Sequence, residues 1–90
     1  MPKYIIERNM TAVGNAPRSE LQSTSQKSND VLTELGPKIQ WLESYVTKDK
    51  IYCVYIAANE DQIRQHAEKC GIPANEISQV LTIIDPTTAE

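Results

Sequence analysis

The sequence predicts an α+β sandwich in which four antiparallel strands and two helices follow one another as β-α-β-β-α-β, with both helices on one face of the sheet. Three observations lead there. Runs near the start, the middle and the end of the 90 residues alternate or concentrate β-branched and aromatic side chains. Two intervening stretches carry helix-start and helix-stop punctuation. A short polar break separates the two central strand-like runs and suits a hairpin.

Residues 3–8 set Tyr4 and Ile6 against Lys3, Ile5 and Glu7, a period-2 pattern with apolar groups on both faces, and form the first strand. Gly14, Asn15 and Pro17 then make residues 9–18 a surface loop. Ser19 followed three residues later by Gln22 has the form of a capping box. It opens a helix over 20–35 whose stripe is Leu21, Ser25, Ser28, Leu32 and Leu35, ended by Gly36-Pro37. The serines in that stripe allow two readings: close approach of helix to sheet, with each hydroxyl bonded back to a carbonyl, or the wall of a small polar cavity.

Residues 38–47 and 50–57 are the second and third strands, with Lys48 and Asp49 at the hairpin tip. That loop length pairs Tyr45 with Tyr52, Ser44 with Cys53 and Leu42 with Tyr55, and it puts Glu43 on one face with Trp41 and Tyr45. Asn59, Glu60, Asp61 and Gln62 start the second helix, whose inward face is Ile63, Ala67 and Cys70 and whose left-handed cap is Gly71. Ile77 to Ile84 reads as the last strand and stops at Asp85-Pro86. Right-handed crossovers make this the ferredoxin-like order, in a single domain over residues 1–90.

One face of such a sheet has no helix in its own chain, yet the strands carry Ile, Leu, Val, Trp and Tyr on both sides. Apolar burial contributes roughly 25 cal/mol per Å2, so a small domain gains by covering that face. A homodimer is expected, by sheet-on-sheet packing or along strand edges.

Composition narrows the remaining classes. Hydrophobic residues at 40% and charged residues at 23% are ordinary globular usage. The nine basic residues are scattered over a chain of net charge −3, which argues against nucleic acid and against an anionic membrane surface. No apolar run approaches the ~20 residues of a membrane span, and charged residues near the start leave no room for a secretory signal. A cytoplasmic location is expected, with Cys53 and Cys70 as thiols.

No motif fixes a reaction. His66 and Cys70 form H-x-x-x-C on the second helix, one turn apart, a spacing able to hold a divalent transition metal with Cys53, Glu7 or Glu43 as further ligands. The same spacing suits a half-exposed polar residue above a small core hydrophobe. Cys53 has no neighbouring base in sequence and reads as a structural core thiol. Trp41, Tyr45, Tyr52 and Tyr55 suit cross-strand packing or stacking on a planar ligand. The alternative to a metal protein is a small-molecule enzyme or carrier of the dimeric α+β barrel type, with a pocket between helices and sheet lined by Ser28, Ser44, Tyr55 and His66.

Residues 41–50 (WLESYVTKDK), residues 52–57 (YCVYIA), and His66 with Gly71, Pro73, Ala74 and Asn75 resemble a bacterial family of small proteins of unassigned function described as nickel-binding proteins of ferredoxin-like fold. The resemblance runs from the Ile-Glu-Arg of the first strand to Asp85-Pro86. It implies a dimeric protein that binds nickel, with His66 matching the family's second-helix histidine and Ser44 and Cys53 matching its SY and YC motifs. The chain departs from the family in having Cys70 where relatives often have a small residue, and Asn29 where several have Cys.

Overall fold

The computed structural model describes residues Met1–Glu90 as β1 (Lys3–Asn9), a 3-10 turn (Val13–Asn15), α1 (Arg18–Leu35), β2 (Ile39–Val46), β3 (Lys50–Ala57), α2 (Glu60–Cys70), β4 (Glu76–Gln79) and a closing 3-10 turn (Pro86–Ala89). The strands form one antiparallel sheet in the order β2-β3-β1-β4, the ferredoxin-like arrangement. Tyr4 and Ile6 of β1 and Ile51, Cys53, Tyr55 and Ala57 of β3 point to the same side, where Ile63 of α2 and Val13 of the loop complete the core. No helix is long and apolar enough to cross a membrane.

Helix ends follow local chemistry. In α2, Asn59 accepts from the Gln62 N–H at 3.1 Å. Its C-terminus closes with Gly71 at φ +70° and the paired bonds Ile72 N–H to Ala67 and Gly71 N–H to Glu68, a Schellman motif. In α1 the expected capping box is absent. The helix starts at Arg18, because the carbonyl of Pro17 takes the N–H groups of Glu20 and Leu21 and draws Ser19 inside the first turn.

Two strands differ from the sequence reading. Tyr45 does pair with Tyr52 and Ser44 with Cys53, but a bulge at Leu42 sets Trp41, not Leu42, opposite Tyr55. The extra residue reverses the phase of β2. Trp41 therefore faces the helices, while Glu43 and Tyr45 face away and the Tyr45 hydroxyl donates to the Glu43 carboxylate. That contact raises the pKa of Tyr45.

Strand β4 ends at Gln79 instead of reaching Ile84. Its partner β1 begins at Lys3, whose carbonyl takes the Val80 N–H, and beyond that point no strand remains to pair with. Leu81, Ile83 and Ile84 are consequently exposed.

The loop after β1 is pinned to the hairpin tip. Met10 N–H donates to the carbonyl of Asp49, Gly14 N–H to that of Lys48, and Ala12 N–H to the Asp49 carboxylate at 2.8 Å. Gly14 is required by this approach, since a Cβ there would lie 2.7 Å from the Thr47 oxygen and 2.9 Å from the Lys48 Cα. The latch anchors Val13 in the core and holds Met10 at the edge of the space under α1.

Candidate functional site

Strand alternation puts Tyr4, Ile6 and Arg8 on one side of β1, so the third inward position of an otherwise apolar face is a guanidinium. Arg8 is 1% exposed. Its Nε donates to Cys53 Sγ at 3.3 Å, one terminal nitrogen donates to the carbonyl of Pro73 at 2.7 Å, and the other lies 3.5 Å from the Tyr55 hydroxyl. The guanidinium carbon stands 6.0 Å from the centroid of the Tyr55 ring, within cation–π range. None of these partners is a carboxylate, and Arg8 takes part in no salt bridge.

Arg8 lines a cavity of about 170 Å3 between the first half of α1 and the sheet. Ser25 and Ser28 contribute from α1, Trp41 and Ser44 from β2, and Cys53 and Tyr55 from β3. The bulge at Leu42 matters here, because it lets Trp41 and Ser44 both face inward. There the Trp41 indole N–H donates to Ser44 Oγ at 2.9 Å and fixes the ring as a wall. Burial pushes the Tyr55 hydroxyl up to about 12, with the neighbouring Cys53 adding to the effect, so it remains a protonated donor.

His66 is fully buried, where the sequence suggested a half-exposed residue. It packs at 5.3 Å between ring centroids against Tyr55, and its Nε2 is hydrogen-bonded to Ser28 Oγ at 3.0 Å with Cys70 Sγ 3.5 Å away. Its Nδ1 has no partner. Desolvation, reinforced by the Arg8 charge, lowers its pKa to about 4, so the ring is neutral at physiological pH.

Of the residues expected around a pocket, Ser28, Ser44 and Tyr55 meet at the cavity wall. His66 is not in the wall itself but stands behind it, bonded to Ser28 and packed against Tyr55. The expected metal ligands are divided. Cys70 borders an adjoining surface cleft with Ser23 and Lys27, which meets the cavity at Thr24 and Ile72, and burial raises its thiol pKa. Cys53 is engaged by Arg8 on the cavity side. No three His, Cys, Asp or Glu side chains converge in a way that could hold a metal ion. A nickel ion at His66 and Cys70 would have two side-chain donors and a cationic neighbour in Arg8, so the residues of one chain do not fit a nickel site by themselves. Arg8 was missed in the sequence, although its signal was present: a charged residue in phase with Tyr4 and Ile6.

Comparison with known proteins bears on this arrangement. Residues 4–80 match the family model described as nickel responsive protein SCO4226-like. The crystal structure of SCO4226 from Streptomyces coelicolor A3(2) superposes with a TM-score of 0.77 at 15% sequence identity, covering 91% of this chain and 99% of that one, a likeness of fold. No curated protein matches the sequence.

Proposed function

The chain belongs to the SCO4226-like family of nickel responsive proteins, and on that premise we propose that it is a small, non-catalytic, dimeric binding protein whose ligand seat is the cavity between α1 and the sheet. The observation that carries this reading is the convergence of Arg8, Ser28, Ser44 and Tyr55 on a space whose other walls are mostly apolar side chains, with Thr24 and Ser25 at the α1 side. A few polar groups aimed into an apolar hollow fix a ligand's orientation. Protein interiors ordinarily close such space. The titratable groups nearby are poorly matched to proton transfer near neutrality, with His66 at about 4 and Tyr55 at about 12, which favours binding over catalysis. Ile5, Leu42 and Tyr45 stay exposed on or beside the helix-free face, and they support a second copy there.

Trp41 is the single tryptophan and sits in the cavity wall, so its fluorescence reports on occupancy. One-ring fragments are expected to change it saturably, and Ser25→Leu, which fills the space from α1, to abolish the change. Absence of any saturable change across a fragment panel refutes the reading.

Direct nickel binding is the second reading, favoured by the family description and by the 3.5 Å contact between His66 and Cys70. Further ligands would have to come from solvent or a second copy. Calorimetry of tag-free protein with nickel chloride decides it: saturable micromolar binding lost in His66→Ala and in Cys70→Ser supports it, and binding unchanged in both sinks it.

A further inference from the structure

We propose that the cavity is an anion site that takes a small organic carboxylate with a flat apolar body of about one ring; this rests on the cavity being the ligand seat. The guanidinium of Arg8 is a cation with five N–H donors in a planar fork. Three acceptors meet it, one of them at the limiting distance of 3.5 Å, and all three are a sulfur, a backbone carbonyl and a hydroxyl. A cation taken out of water without an anion costs several kcal/mol. The side chain is 1% exposed, and the ion pairs of the chain involve other residues, Lys50 with Glu7, Arg64 with Glu60 and Lys69 with Glu34. The fold therefore holds a buried positive charge whose counter-charge the chain does not supply, at the wall of a hollow.

The remaining walls define the rest of the ligand. A dry cavity of about 150 Å3 is enough for benzene, and this one is about 170 Å3. Trp41 offers a flat wall held by its bond to Ser44, and Leu21, Ile51 and Ile72 supply apolar surface. The unused N–H groups of Arg8, with the Tyr55 hydroxyl beside them, suit a carboxylate, whose two oxygens match the guanidinium fork. The same charge disfavours a divalent cation in this space.

The test is an NMR titration of the full chain with benzoate and with benzamide, its neutral isostere, following the Trp41 indole N–H and the Arg8 Nε–H. Benzoate is expected to shift both signals to saturation, with benzamide binding about 10- to 100-fold more weakly, the range set by a charge-assisted hydrogen bond. Arg8→Met, which removes an uncompensated charge from the interior, is expected to fold and to lose the preference. If Arg8→Met does not fold, the two probes on the wild-type chain decide alone. Equal binding of benzoate and benzamide overturns the anion assignment and leaves the cavity reading standing. Failure of both probes to saturate overturns both. A preference for benzoate that survives in Arg8→Met also overturns the assignment.

Discussion

Acid should weaken this fold through His66. Its pKa falls from 6.5 to about 4 on folding because burial beside Arg8 opposes the imidazolium. The sign follows from linkage: the unfolded chain takes up the proton first, so the contribution is complete above pH 6.5 and is lost as pH falls toward 4. Two and a half units at ~1.36 kcal/mol each set a ceiling of roughly 3 kcal/mol, with about 2 kcal/mol already gone at pH 5. That is a large share of the roughly 5–15 kcal/mol that keeps a domain folded. Urea denaturation from pH 7 to pH 4, for the wild type and for His66→Gln, isolates the effect, because the difference between the two cancels the titration of surface carboxylates. Glutamine keeps a polar partner for Ser28 and cannot be charged. The stability difference between them should move by about 3 kcal/mol in favour of the variant over that range. A difference independent of pH would refute the burial argument.

Gly14→Ala should destabilise by about 1–3 kcal/mol, since the added carbon meets backbone atoms of Thr47 and Lys48; chemical denaturation showing no loss would contradict the latch between loop and hairpin tip. Asn59→Ala should cost about 1 kcal/mol through its lost cap, whereas Ser19→Ala should stay within about 0.5 kcal/mol because Ser19 caps nothing. Equal losses in the same assay would restore the capping box. Ile5→Lys with Tyr45→Lys, placed on the helix-free face, should convert a dimer to a monomer in sedimentation velocity. A wild type that already sediments as a monomer removes the dimer.

Much of the fold was legible because its signals are local. Strand β3 is evident over 50–57, where Ile51, Tyr52, Val54, Tyr55 and Ile56 leave little choice, and Asn59 and Gly71 bracket α2 by their own backbone chemistry. What escaped depends on partners remote in sequence. Val80 to Ile84 look like strand, but pairing is limited by where β1 begins. The bulge left no mark, since Trp41 and Leu42 are adjacent and apolar, and either phase gives an acceptable strand. His66 was placed on the right helix, yet its burial comes from Tyr55 and Ser28, which only the packed structure brings to it. Ser28, Ser44 and Tyr55 could be grouped by topology alone. Arg8, the charge among them, is hidden by the rule that a charged strand residue usually points to water.

The single residue of slack at Leu42 has a consequence for Arg8. Had β2 run on from the Trp41–Tyr55 pair without it, Glu43 would stand opposite Cys53, with its carboxylate on the side where Arg8 touches that sulfur. The chain would then neutralise its own guanidinium and plug its own hollow. The bulge turns Glu43 outward to Tyr45 and brings Ser44 in, so the carboxylate that could have closed on Arg8 lies on the opposite face of the sheet and the cavity beside the guanidinium stays open.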